Sequence, residues 1–333
     1  MKDYILRKKN GKGFIYFKDN KSLSSNSPIV KEYLEGLYVA PAYKDVKIFP
    51  PDKKVRAIGT DERGRKQYIY HKDHRAKSNK KKYVQLYTFG KRYKEIMRKI
   101  NSDLSSFRDD KNKQIAMILK MIDECNFRVG NDKYLKENKS HGVCTLNTEH
   151  VTLKKNRVNI TFRGKKGVTN ACEIKDNLLK KHIKQKVKTQ KKKDRLFTYR
   201  SNNRYASIRA SDVNNYLKQF GDISAKNFRT WRANVDLLKL LVLNEENKNN
   251  TYLKECIKSV AHNLHHTPEI CKKNYLNEDI LKMYTKDKIK FFSHFNTRTE
   301  EKLQKQLLEF FSSVGFDSKE TISARRKLAT LLF

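Results

Sequence analysis

His266 and Tyr275 stand nine positions apart in the segment L-H-H-T-P-E-I-C-K-K-N-Y, and an imidazole with a phenol can serve phosphoryl transfer. A phosphodiester under attack gathers negative charge on its equatorial oxygens, so an enzyme that cuts it needs cationic donors around the phosphorus and one activated nucleophile. Cations are abundant here: Lys+Arg number 75 against 36 Asp+Glu, a formal charge of +39. That excess suits a partner made of phosphates, and nucleic acid is the expected one. An AT-rich genome also enriches Lys, Asn and Ile, but such a bias supplies Asn as readily as Lys and does not by itself push the charge this far.

Thr267-Pro268 reads as a helix N-cap followed by the first helical position, where the N–H that Pro lacks would go unused. On one unbroken helix, nine residues at about 100° each would put His266 and Tyr275 on opposite faces, so a break at Thr267 is what lets them converge. Tyr275 is then expected about two turns into the new helix. Spacing alone leaves open that Tyr275 is an ordinary amphipathic aromatic. The triplet His262, His265 and His266 invites a metal reading, but H-N-L-H-H lacks the Glu of a metalloprotease helix, and Glu255 and Glu269 complete no ligand set. The acidic pairs starting at Asp109 and Glu245 stand apart among basic residues, unlike the clustered carboxylates of a two-metal nuclease. The chemistry is expected to need neither metal nor cofactor, a divalent cation serving at most as a stimulant.

Positioning these groups falls to two expected domains, since 333 residues exceed one small core. The first 80 or so hold four of the five prolines and read as β-rich, with a hairpin of Val55 to Thr60 and Gln67 to Tyr70 that sets Tyr68 and Tyr70 on one face. The basic stretch H-K-D-H-R-A-K-S-N-K-K-K, ending at Lys82, reads as the linker, so the domains are drawn at 1–78 and 79–333. Beyond it helices dominate. Ile115, Ile118, Leu119, Ile122 and Cys125 form a stripe expected to stop at Arg128-Val129-Gly130, with Gly130 as a left-handed cap. Three short strands follow, Val151 to Leu153, Val158 to Phe162 and Val168 to Ile174, with Lys165 at the second turn. Lys180 to Arg195 is a basic run, either a solvated helix face or a DNA contact. Helices resume near Ser211. Leu253, Cys256, Ile257, Val260, Ala261 and Leu264 stripe a helix leading to His266, and Leu303, Leu307, Leu308 and Phe311 stripe another. Cys125, Cys144, Cys172, Cys256 and Cys271 are odd in number and lack C-x-x-C spacing, so they read as reduced thiols of an intracellular protein. The longest apolar run, within Leu237 to Leu243, is too short to span a bilayer, and no membrane role is expected.

Four motifs together resemble the type IB DNA topoisomerases, most closely the compact poxvirus form. F-R-V-G-N-D-K-Y-L-K-E-N around Arg128, followed by H-G-V-C-T-L-N-T-E-H-V, is similar to the family's first arginine motif. F-R-G-K-K-G at Phe162 to Gly167 resembles the hairpin of the catalytic lysine, A-K-N-F-R-T-W around Arg229 the second arginine motif, and H-T-P-E-I-C-K-K-N-Y the nucleophile motif. They occur in family order across most of Tyr83 to Tyr284. The resemblance implies an α+β chain: a small β-rich N-terminal DNA-clamp domain, and a larger, mainly helical catalytic domain of the type IB topoisomerase and tyrosine recombinase fold with a short β-hairpin sheet.

It also implies roles. Tyr275 attacks one strand and forms a 3′-phosphotyrosyl link, Arg128, Arg229 and His266 hold the non-bridging oxygens, and Lys165 protonates the departing 5′-oxygen. Gln67, Tyr68 and Tyr70, with Arg63, Arg65 and Lys66 beside them, and Asn131, Lys133 and Tyr134 become DNA contacts. The partner is double-stranded DNA, relaxed without ATP or metal by a monomer clamped around it. The chain departs from the poxvirus pattern at Asn131-Asp132 and matches it at His266; its Lys- and Asn-rich composition fits an insect poxvirus, with location in the virion and host-cell cytoplasm. Two alternatives compete. A tyrosine recombinase shares the catalytic set but usually reads H-x-x-R where this chain has Lys226. A non-enzymatic DNA binder would need only the charge.

Overall fold

The computed structural model describes residues 3–62, 64–202, 204–243 and 250–315, so Arg63, Glu245 and Glu246 lie outside the described residues. The chain divides into two units, Met1–Lys82 and Tyr83–Phe333.

In the first unit, strands β1 (Ile5–Asn10), β2 (Gly13–Lys18) and β3 (Lys21–Leu23) precede helix α1 (Pro28–Leu34). Ser27 caps α1 and Pro28 opens it. Strands β4 (Lys44–Ile48), β5 (Val55–Thr60) and β6 (Lys66–Tyr70) complete an antiparallel sheet in the order β3-β2-β1-β4-β5-β6. Period-two alternation turns Ile5, Val46, Ile48 and Ala57 inward to pack with Val30 and Tyr33 of α1. The expected hairpin is β5–β6, where Ile58 pairs with Tyr68 and Gly59 with Gln67.

The expected linker is not a loop. It forms the opening turns of α2 (Lys72–Ser105), because Lys, Ala and Arg are good helix formers and no Gly or Pro interrupts the helix before Gly90. A polar, basic run has linker composition but also helix propensity, and the helix won. The division falls at Lys82.

The second unit begins with the rest of α2 and α3 (Lys111–Cys125). The stripe of α3 is buried as expected, but so are Ala116, Met117 and Met121, because other elements pack around the helix on all sides. α3 stops earlier than its Gly130 suggests: Asn126 takes the left-handed cap with φ 54°, and Arg128 lies two residues beyond it. Next come α4 (Asp132–Asn138), an antiparallel sheet of β7 (Val151–Lys154), β8 (Arg157–Arg163) and β9 (Thr169–Glu173), and α5 (Asn177–Thr189). The hairpin β10 (Thr198–Ser201) and β11 (Arg204–Ser207) leads to α6 (Ala210–Leu217) and α7 (Ala225–Val242). α8 (Asn250–Asn263), α9 (Pro268–Asn274), α10 (Glu278–Lys286), α11 (Lys288–His294) and α12 (Glu300–Ser313) follow. Phe89 of α2, Phe127, Phe228 of α7 and Phe311 of α12 are among the side chains fully enclosed in this unit's core.

The five cysteines are not all reduced. Cys125 and Cys172 form a disulfide across 47 positions, their Cα atoms 5.7 Å apart, because the end of α3 meets β9. Cys144, Cys256 and Cys271 are free and buried. No described helix is long and apolar enough to cross a membrane.

Candidate active site

The site forms where three chain breaks meet. At the end of α8, His265 adopts φ 55°, and the His266 N–H donates back to the Ala261 carbonyl at 2.9 Å. This left-handed turn stops the helix, and Thr267 then caps α9 by accepting from the Ile270 N–H. The break at Thr267-Pro268 is therefore the expected one. Tyr275, expected within the new helix, sits at its C-cap instead, since α9 is only two turns long. Its phenol returns to His266, whose Nε2 lies 3.2 Å from Tyr275 Oη.

Arg229 lies beneath this pair on α7 and is 3% exposed. Its guanidinium makes three bonds: Nη1 donates to Tyr275 Oη at 2.9 Å, Nε to the Asn126 carbonyl at 2.7 Å, and Nη2 to the Leu264 carbonyl at 2.8 Å. Each acceptor is neutral, so no described carboxylate compensates the buried charge. Burial lowers its pKa to about 10, which leaves it charged at neutral pH. Arg128 donates to the His266 imidazole. Burial, then the charges of Arg128, Arg229 and Lys165, hold His266 down to about 3, so it is neutral at physiological pH. Such a cationic, carboxylate-free pocket favours an anion.

The loop carrying Arg128 is held by backbone. The Val143 N–H donates to the Arg128 carbonyl at 2.8 Å and the Cys144 N–H to Val129 at 2.7 Å. Gly130 and Gly142 let the two chains touch: a Cβ on Gly142 would lie 2.4 Å from Gly130 Cα. Lys165 opens the tight turn between β8 and β9, in which Lys166 and Gly167 have positive φ. It is exposed, yet near enough for its charge to act on His266.

Sequence reasoning missed the residues that hold these groups. Asn234, fully buried on α7, donates Nδ2 to the Tyr275 carbonyl at 2.9 Å and accepts from the Asn277 N–H at 2.9 Å. One helix thus grips the tyrosine at its hydroxyl and at its backbone. Asn126 offers only its carbonyl, and nothing in a sequence marks a carbonyl.

The three histidines of the metal reading diverge: His262 is exposed, His265 meets the Cys125 carbonyl at 3.3 Å, and His266 meets Tyr275. Among the described residues no group of three or more His, Cys, Asp or Glu could hold a metal ion. Of the other candidates, Tyr68 and Tyr70 are exposed on β6 with rings stacked 6.5 Å apart, and Tyr70 stacks in turn on His74. Gln67 is tied by Nε2 to Asp61 Oδ2 at 2.9 Å, a carboxylate that Arg65 holds well below the usual range. Asn131 caps α4 by accepting from the Lys133 N–H at 2.7 Å, while Lys133 and Tyr134 stay exposed. The basic run at 180–195 divides. Lys186 is buried against the Thr198 carbonyl and Asp109, whereas Lys180, Lys181, Lys184 and Lys188 line an open groove of about 720 Å³.

Comparison with known proteins identifies the family. Residues 71–303 match the model of the eukaryotic DNA topoisomerase I catalytic core. The DNA topoisomerase 1B of Acanthamoeba polyphaga mimivirus is 31% identical over 308 residues, covering 88% of this chain and 90% of that protein. The DNA topoisomerase 1B of vaccinia virus (strain Copenhagen) is 28% identical, over 82% of this chain and 90% of its own length. The DNA topoisomerase I of monkeypox virus covers the same shares at 28% identity. The family match takes in every element that builds the pocket, from α2 to α11, and the chain belongs to the DNA topoisomerase I family, in the type IB form carried by mimivirus and the poxviruses.

Proposed function

We propose that Tyr275 is the nucleophile with which this topoisomerase relaxes supercoiled duplex DNA, with Arg128, Arg229 and His266 around the scissile phosphate and Lys165 as general acid. The observation that carries the reading is Arg229, a buried cation with neutral acceptors alone, one of them Tyr275 Oη. An arginine fork there matches the oxygens of an incoming phosphate and strengthens as charge develops on them. When the phosphate enters, the Arg128–His266 contact is exchanged for bonds to non-bridging oxygens. His266, neutral, can donate to phosphate only through an N–H, so its Nε2 must first be released by Arg128 and carry the proton.

Tyr275 Oη then bonds to phosphorus as its proton passes to solvent. The bond from phosphorus to the 5′-oxygen breaks, and that oxygen takes a proton from Lys165. The 3′-phosphotyrosyl ester keeps the bond's energy, so attack by the 5′-hydroxyl restores the strand without ATP or any metal or cofactor. In this reading the N-terminal unit, with Tyr68 and Tyr70, and the Lys133 and Tyr134 helix touch the duplex. The protein acts as an intracellular monomer clamped on DNA, in the virion and host cytoplasm of a poxvirus.

The test is plasmid relaxation in EDTA. The wild type should relax both supercoil signs and leave a covalent adduct after an SDS quench, while Tyr275→Phe should do neither and keep its DNA affinity. An adduct persisting in Tyr275→Phe would move the nucleophile to another tyrosine.

A further inference from the structure

His265 stands next to a catalytic residue in a conformation that a β-carbon disfavours. Its φ of 55° is the left-handed cap that Gly adopts freely and most other residues adopt at a cost. Backbone geometry alone would be better served by glycine, so whatever the imidazole contributes must come from its contacts. There are two. Nε2 meets the Cys125 carbonyl at 3.3 Å, and the ring packs on Phe127 with centroids 5.3 Å apart. Cys125 is itself anchored, as the last residue of α3 and the disulfide partner of Cys172. The next residue after Phe127 is Arg128.

His265 therefore joins directly the two segments that carry Arg128 and His266. Arg229 joins them indirectly, by bonding the Asn126 and Leu264 carbonyls. The Arg128–His266 contact joins them at the tips, but both tips must leave each other when they turn to a phosphate. What then keeps the two side chains at a fixed spacing is the pair of ties behind them. We propose that His265 is a positioning residue that sets the direction of His266 by fastening the turn between α8 and α9 to the end of α3. The inference rests on the assignment of His266 to the scissile phosphate. Burial depresses the imidazole pKa, so near neutral pH the ring is uncharged and donates one N–H, the one on Nε2.

His265→Gly tests this without straining the turn, because glycine accepts the same φ. His265→Asn is the second variant: it also tolerates the left-handed region, but its amide is too short to reach where the imidazole reaches. Single-turnover cleavage at saturating DNA, DNA affinity and thermal midpoint are measured for both, for His266→Ala, and for the double variant His265→Gly/His266→Ala. Each His265 variant should cleave about tenfold slower with affinity unchanged, as expected when a misplaced group loses part of its effect. The double variant should be no slower than His266→Ala, since a residue acting through another has nothing left to act on. Two outcomes overturn the inference while sparing the reading of the site: wild-type rates in both His265 variants, or losses that multiply in the double variant, which would mark ordinary packing. A wild-type rate in His266→Ala overturns the inference by a different route, because the site's reading has then failed first.

Discussion

The pocket under Tyr275 and the turn that carries Lys165 are built in opposite ways. Arg229, Asn234 and Tyr275 are each at most 5% exposed; long-range hydrogen bonds from α7 fix the two polar ends of the tyrosine, and the end of α3 in turn accepts from Arg229. Lys165 sits on an exposed three-residue turn whose shape comes from local hydrogen bonds, Gly164 to Val168 and Gly167 to Gly164. A group that must stabilise charge gains most from rigid, dry surroundings. A group that must deliver one proton and take it back needs reach and contact with water. The difference predicts that changes in the pocket will be hard to compensate, while loss of the lysine can be bypassed by chemistry that needs no proton.

Short of removing the Tyr275 hydroxyl, Lys165→Ala is expected to cause the largest loss, about 10² to 10⁴ in cleavage rate, the usual range for general acid catalysis. A substrate with sulfur at the bridging 5′ position has a better leaving group, and on it the same variant should cleave at close to the wild-type rate. Rescue of Lys166→Ala but not Lys165→Ala would reassign the acid to the neighbour. Arg229→Ala should slow cleavage by about 10² to 10³, as for removal of one donor from an oxyanion site. Sulfur should not restore it. Arg229→Lys should rescue poorly, since a point charge cannot satisfy the Asn126 and Leu264 carbonyls and the phenol together. Rescue by sulfur would mean that the pocket and the turn do the same work.

A smaller effect should come from the backbone contact that supports Arg128. Gly142→Ala places a methyl 2.4 Å from Gly130 Cα and 2.7 Å from the Arg128 carbonyl. The loop must shift, and cleavage should fall about tenfold or more, because a displacement near 1 Å can cost up to a hundredfold. A wild-type rate in Gly142→Ala would show that Arg128 is not fixed from behind. The smallest effect concerns pH. His266 is depressed to about 3 in the folded chain against an ordinary value of 6.5. The unfolded chain then binds a proton that the folded chain refuses between those values, so this contribution to stability is complete above 6.5 and is lost as pH falls toward 3. The thermal midpoint should drop on acidification through that window, and His266→Gln should make the drop shallower. An unchanged slope would mean that His266 is not held neutral by the pocket.

Short-range signals were legible. The Thr267-Pro268 break, the β8–β9 turn and the β5–β6 hairpin are each encoded within a few residues by caps, turns and alternation, and all three form as expected. So are the stripes of α8 and α12, where Cys256, Val260, Leu303 and Leu307 are buried. Local signals misled where two local preferences competed: Gly130 looked like the cap of α3, but Asn126 reached the left-handed region first, and the basic run before Lys82 favoured a helix over a loop.

The sequence by itself determined which groups are proposed for the chemistry and in what order along the chain, since Arg128, Lys165, Arg229, His266 and Tyr275 lie in recognisable local motifs. The tertiary structure alone decided what holds them. The Asn126 carbonyl under Arg229, the Asn234 amide on the Tyr275 backbone and the Cys125–Cys172 disulfide join positions separated by 103, 41 and 47 residues. Backbone carbonyls are the same at every position, and a lone Asn or Cys carries no periodicity. Such contacts become visible only when the packing of α3, α7 and β9 has brought the partners together.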